Sequence, residues 1–212
     1  MFKAAIFDLD GTLLDSETVA IQAWNWMQDQ LGLSMEEDFI HSMIGVSPAE
    51  CRRMLAISYP QHDPDQIDRT FGRRLKVLEQ DPVPLKPGVV DLLDLLDAVG
   101  MKRAIATSSS RAGAERKLMN AGLRHRFHDL VTLDCVTNPK PAPDPYRIAA
   151  DRLGVAPEHC VAFEDSETGA QAAMAAGMTV VQVPDIRPTQ GQFAHHVAPS
   201  LLDGARMAGL IG

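Results

Sequence analysis

Five short apolar runs recur along the chain and restrict its architecture more than any other feature. They read "KAAIFDL" (3–9), "KRAIATS" (102–108), "DLVTLD" (129–134), "HCVAFED" (159–165) and "TVVQVPD" (179–185). Each is bounded by turn-forming or charged residues, and none alternates apolar with polar, the pattern of strands covered on both faces. Strands of that kind belong to parallel sheets, where each connection must cross back over the sheet, usually as a helix. The intervening segments have helical spacing. Segment 88–99 carries Val89, Leu92, Leu93 and Leu96 and stops at Gly100; segments 111–121, 144–153 and 168–176 stop at Gly122, Gly154 and Gly177. Glycine just past the last helical residue is the expected stop signal. The alternation predicts an α/β protein: an open parallel sheet in three layers, with helices on both faces.

One interval breaks the rhythm. Residues 14–83 contain no convincing strand, and their apolar residues fall at helical spacing: Ala20, Ala23, Trp24, Met27 and Leu31, then Ile67, Phe71, Leu75 and Leu78. A weaker helix is expected after Pro48, whose fixed φ suits a first helical turn. Pro82, Pro84 and Pro87 make a stiff exit back to the sheet. The expected organisation is therefore a core of residues 1–13 and 84–212 with an all-helical domain, 14–83, inserted into it. The tail after Pro188 gives the weakest signals.

Charge narrows the partners. With 20 Lys and Arg against 28 Asp and Glu, a net charge of −8 and a pI near 5.3, the chain lacks the basic footprint of a nucleic-acid binder. Its three cysteines, Cys51, Cys135 and Cys160, are scattered and odd in number, which points to a reducing, cytoplasmic setting. "MFKAAIFDLDG" turns acidic too soon for a signal peptide or a membrane span. No membrane partner is expected, and a monomer is the simplest assembly.

Four motifs carry chemistry. "DLDGT" (8–12) brings Asp8 and Asp10 to the carboxyl end of the first strand, where open α/β sheets bind ligands. Residues two apart on a strand face the same way, so the two carboxylates are expected to start on one side. "ATSSSR" places Thr107 and Ser108 at the end of the second strand, as an anion site at a helix N-terminus or as plain helix caps. Lys140, between Pro139 and Pro141, is a charge with reduced freedom. Glu164 and Asp165 end a further strand before a small-residue helix, and capping explains them as well as chemistry does. Taken together the motifs are more specific. Hard oxygen ligands from Asp8, Asp10 and Asp165 suit Mg²⁺, and the cation offsets the burial of the acidic cluster. With Mg²⁺, Thr107 and Lys140 neutralising a phosphate dianion, a carboxylate could attack phosphorus.

In order and along nearly the whole chain, these motifs resemble those of the haloacid dehalogenase superfamily of phosphohydrolases. The helical insert after the first motif, with "KPAPD" and "FEDS", is similar to the β-phosphoglucomutase-like subgroup, which includes sugar phosphatases. The resemblance implies a Rossmann-like core with a helical cap and a small phosphorylated metabolite as substrate. It implies that Asp8 is the nucleophile that forms an aspartyl-phosphate, and that Asp10 is the general acid and then the base. The backbone carbonyl of Asp10 would ligate Mg²⁺, Thr107, Ser108 and Lys140 would hold the phosphoryl group, and Asp165 would ligate the metal. Glu164 would be a further ligand or an anchor behind the ligands.

Mutases of the subgroup carry a histidine in the first insert helix and a lysine and an arginine around a Gly-Val-Ser loop. Here those positions hold Ala20, Ile44 and Pro48, around residues 45–47. The resemblance therefore favours hydrolysis, with a β-phosphoglucomutase-type transfer as the alternative. A phospho-receiver switch is the remote alternative, since receivers phosphorylate an aspartate on a later strand and lack both the second carboxylate and the insert. Within the insert, Glu17, Trp24, Arg52, Arg53, Arg73 and Arg74 are either substrate-facing groups or, more simply, helix surface and, for Trp24, core.

Overall fold

The computed structural model describes residues 1–44, 46 and 48–212. Gly45 and Ser47 of the Gly-Val-Ser stretch lie outside the described residues. The chain divides into two compact units, Met1–Asp15 with Pro84–Gly212, and Ser16–Val83.

The first unit is built on a parallel sheet of β1 (Ala4–Phe7), β2 (Lys102–Ala106), β3 (Asp129–Val131), β4 (Cys160–Glu164), β5 (Thr179–Gln182) and β6 (His196–Val197), in the order β3-β2-β1-β4-β5-β6. It is the predicted Rossmann-like sheet with one strand more. Its helices are α5 (Val89–Ala98), α6 (Arg111–Asn120), α7 (Asp144–Leu153), α8 (Glu167–Ala175) and α9 (Leu201–Met207), numbered after four helices of the other unit. Alternate residues of the central strands serve opposite faces. Ala4, Ile6, Ala104, Ala106 and Ala162 pack with Tyr146, Ala149 and Leu153 of α7 and with Ala170, Ala172 and Ala173 of α8. On the other face the rings of Phe7 and Phe163 stack with centroids 4.8 Å apart. The small residues of α8 let that helix lie close to the sheet. Gly100, Gly122, Gly154 and Gly177 all have positive φ, between 63° and 90°, as the predicted helix stops require.

The predicted strands overrun the observed ones at their carboxyl ends. Each of the first two was drawn two residues too long there, because residues 8–9 and 107–108 leave the ladder to form loops. β6 and α9 fall in the tail, and two paired residues and a seven-residue helix are too short for periodicity to reveal.

The second unit is all-helical: α1 (Ser16–Leu31), α2 (Glu37–Met43), α3 (Pro48–Ser58) and α4 (Pro64–Leu78). α2 was not anticipated from sequence. α4 starts at Pro64 behind an N-cap, Asp63, whose carboxylate accepts the Asp65 N–H at 3.0 Å. Trp24 of α1 stacks on Phe71 of α4, with ring centroids 4.2 Å apart, among Met27, Ile40, Leu55 and Ile67. Of the insert residues singled out, Trp24 is core. Arg52 pairs with Asp65 and, at 2.7 Å, with Asp68; Arg53 pairs with Glu50 at 2.5 Å; Arg74 lies over the Trp26 ring at 5.6 Å. Among the described residues, no helix is long and apolar enough to cross a membrane.

The chain leaves and re-enters the first unit through paired segments. Leu14 and Leu85 form an antiparallel bridge, flanked by Asp15 N–H to Pro84 O at 2.8 Å and Lys86 N–H to Leu13 O at 3.0 Å. Trp24→Ala is expected to destabilise the helical unit by about 3 to 5 kcal/mol, the usual range for emptying a buried aromatic site. Chemical denaturation followed by tryptophan-independent circular dichroism measures it, and a change under about 1 kcal/mol would contradict the core assignment.

Candidate active site

The strand order reverses direction at β1 and β4, and the carboxyl ends of strands at such a reversal are where open α/β sheets bind ligands. Every sequence-derived site residue lies at this edge of the sheet or on a loop leading to it. Asp8 follows β1 directly, its N–H still bonded to Phe163 O at 2.9 Å, and its side chain is buried. Gly11 then turns the chain at φ 82°; a Cβ there would sit 2.5 Å from Asp165 Oδ2, so only glycine lets this loop approach the end of β4. Thr12 Oγ1 donates to Asp165 Oδ1 at 2.9 Å. Thr107 follows β2, is buried, and accepts the Ser109 N–H on its Oγ1 at 3.1 Å. Ser108 beside it is exposed.

Lys140 ties the centre together. Its ammonium donates to Asp8 Oδ1 and to Glu164 Oε1, each at 2.5 Å, and its side chain is only 5% exposed. The Tyr146 ring lies 5.1 Å from the same nitrogen, and the Tyr146 hydroxyl donates to Glu164 Oε1 at 2.5 Å. Ser166 donates to Glu164 Oε2 through its hydroxyl at 3.1 Å and its N–H at 3.4 Å. Both oxygens of Glu164 are therefore engaged by the protein itself.

One ammonium faces two buried carboxylates, and the ionisation of the group reflects that mismatch. Burial pushes the Asp8 carboxyl up to about 7; Lys140 opposes this and Glu164 adds to it. Burial alone would lower Lys140, but Asp8 and Glu164 together hold its ammonium above the usual lysine range. Burial, then Glu164 and Asp8, raise the Tyr146 hydroxyl well above its ordinary value, so it stays a donor.

Asp8, Glu164 and Asp165 each offer a carboxylate oxygen within 4.8 Å of the others. Three carboxylates against one ammonium leave two negative charges to offset, and an all-oxygen donor set suits a hard divalent cation. The residues present therefore fit such an ion. The carboxylate of Asp10 is not part of this group: Oδ2 accepts from Ser109 Oγ at 2.6 Å and Oδ1 from Lys117 Nζ at 2.8 Å. The period-two expectation that Asp8 and Asp10 share a side is corrected here. β1 ends at Phe7, and beyond it the chain turns rather than continuing as a strand.

Residues 5–183 match the family of haloacid dehalogenase-like hydrolases. The chain belongs to this family. It is 35% identical over 188 residues to fructose-1-phosphate phosphatase YqaB of Escherichia coli, covering 86% of this chain and 96% of that one. It is 36% identical over 186 residues to hexitol phosphatase A of the same organism, covering 85% and 82%. Among solved structures, a HAD family hydrolase of Deinococcus radiodurans with bound phosphate and sodium superposes with a TM-score of 0.84 at 29% identity, covering 99% of this chain and 95% of that one.

Sequence reading of this hydrolase missed Thr12, Ser109, Lys117, Tyr146 and Gly169 as parts of the site. A signal existed for Lys117, a cation beside Leu118 and one turn from Ala114 on the inward face of α6. Gly169 carried one too, as a glycine within the first turn of a helix that otherwise favours alanine. A Cβ at 169 would fall 1.8 Å from Glu164 Oε1. Gly169→Ala is therefore expected to displace Glu164 from Lys140 and to lower turnover at least about tenfold, with a loss of stability of about 1 to 3 kcal/mol from overpacking. Steady-state kinetics and thermal unfolding check both; wild-type behaviour in each would mean that Glu164 is not confined as described.

Proposed function

We propose that this hydrolase is a Mg²⁺-dependent phosphatase acting on a small phosphorylated sugar, polyol or sugar acid through an aspartyl-phosphate on Asp8. The observation that carries the reading is the buried ammonium of Lys140 held 2.5 Å from Asp8 within an acidic cluster that still has negative charge to offset. The names of the E. coli relatives, a fructose-1-phosphate phosphatase and a hexitol phosphatase, support the substrate class.

In this reading Asp8 attacks phosphorus, the bond from phosphorus to the ester oxygen breaks, and Asp10 gives that oxygen a proton. Asp10 then takes a proton from a water whose oxygen attacks the phosphorus of the aspartyl-phosphate. The bond to Asp8 breaks and inorganic phosphate leaves. Thr107, Ser108 and Lys140 hold the phosphoryl oxygens. Asp8, Asp165 and the Asp10 carbonyl would hold the cation. When bound, it reduces the repulsion between an anionic nucleophile and a phosphate dianion. Glu164, whose oxygens are taken by Lys140, Tyr146 and Ser166, anchors the lysine. The choice of leaving group is assigned to the helical unit.

A phosphate-release screen with Mg²⁺ against fructose 1-phosphate, hexitol phosphates, phosphogluconate, phosphoglycolate and glycerol phosphate tests the proposal. Activity is expected on a sugar or polyol phosphate, to disappear with EDTA and to return with Mg²⁺. Asp8→Asn is expected to lower turnover by about three orders of magnitude or more with an unchanged circular dichroism spectrum. Retained activity in that variant would remove Asp8 as nucleophile, and faster formation of glucose 6-phosphate than of phosphate from β-glucose 1-phosphate would make the enzyme a mutase.

A further inference from the structure

We propose that Lys117, with Ser109, is a positioning residue for Asp10, fixing the side chain from which protons are exchanged; this rests on the acid and base role assigned to Asp10 above. Asp10 sits past the end of β1, where a single bridge to Leu14 is its ladder pairing. Its side chain is 31% exposed, so the backbone alone would leave its rotamer open. A proton donor has to be held within a fraction of an ångström and some tens of degrees of the productive geometry. Here each carboxylate oxygen has its own donor, Lys117 on Oδ1 and Ser109 on Oδ2.

The two donors belong to one rigid piece of chain. Ser109 is held through its N–H by Thr107 Oγ1, and Ser110 caps α6 by accepting the Gly113 N–H at 3.3 Å. Lys117 stands two turns into that helix, next to buried Leu118. The segment that presents Thr107 to the phosphoryl group thus also grips Asp10, and a substrate seated against the one is registered against the other. An ordinary surface ion pair contributes little, because solvent screens it and two flexible side chains must be ordered. Lys117 is different: its side chain is 11% exposed, so its ammonium is largely withdrawn from water and its partners are fixed by the fold.

Leaving-group dependence separates positioning from mere stability. An alkoxide needs a proton as it departs, whereas p-nitrophenolate leaves without one. The second-order constant kcat/KM reports only steps through phosphoryl transfer to Asp8, so slow hydrolysis of the intermediate does not enter it. Lys117→Met, which keeps an unbranched apolar stem, is expected to lower kcat/KM for fructose 1-phosphate by about 10- to 100-fold, and that for p-nitrophenyl phosphate by less than about threefold, given the size of general-acid contributions. Lys117→Arg is expected to recover most of the loss. Ser109→Ala, which keeps the ion pair, is expected to show the same discrimination at about 3- to 10-fold, and it decides the matter if Lys117→Met does not fold. Equal losses on both probes, or none, overturn the positioning role. Asp10→Asn supplies the reference. If it too fails to discriminate, the acid role of Asp10 falls; if it discriminates and the Lys117 and Ser109 variants do not, the positioning role alone falls.

Discussion

A lysine ammonium 2.5 Å from each of two buried carboxylates is the contact around which the rest of the centre is arranged. Isolated, any of these three charges would be costly to withdraw from water, and a single pair would neutralise itself and have nothing left for a ligand. With two acids to one base the cluster stays short of positive charge. Tyr146 and Ser166 satisfy Glu164, which frees the imbalance to appear at Asp8 and neighbouring Asp165, at the carboxyl ends of β1 and β4. Gly11 and Gly169 are the steric counterpart of this electrostatic arrangement. A methyl group at either position would occupy space already taken by Asp165 or Glu164.

Sheet topology explains why such distant residues meet. β1 lies at the centre, between β2 and β4, and each of the three strands delivers its residues at the same edge: Asp8 after β1, Thr107 after β2, Glu164 and Asp165 at the end of β4. Parallel strands make this unavoidable, since all their carboxyl ends point one way. Lys140 reaches the same place from the loop before α7, the helix whose Tyr146 supports it from the sheet side.

Much of this was legible in the sequence because it depends on local rules. Apolar runs of strand length and glycine stops are one-dimensional signals, and they located the sheet and four of its helices. Asp8, Thr107, Glu164 and Asp165 lie at or just past the ends of strands, where the apolar runs point, whereas Lys140 lies on the loop before α7. What escaped was set by tertiary distance. That Asp10 turns to Ser109 and Lys117, rather than standing beside Asp8, follows from where β1 stops and where α6 packs, and no spacing within "DLDGT" encodes either. Tyr146 carries no mark of its own within the helical segment 144–153; it is buried, and its hydroxyl matters because Glu164, eighteen positions away, ends the adjoining strand. β6 and α9 were hidden by their brevity.

The paired segments at 13–15 and 84–86 have a consequence of their own. Because Asp15 and Pro84 are joined by a 2.8 Å hydrogen bond, the sixty-odd residues between them begin and end at one point of the core. A segment so attached is a closed loop as far as the sheet is concerned, and the entropy of closing it grows only slowly with its length. The sheet's pairings and the residues of its charged edge all lie outside the stretch strung between those two anchor points. Descendants of such a chain could lengthen, shorten or exchange the intervening helices, and so change which molecules they accept, while inheriting the reactive centre unaltered.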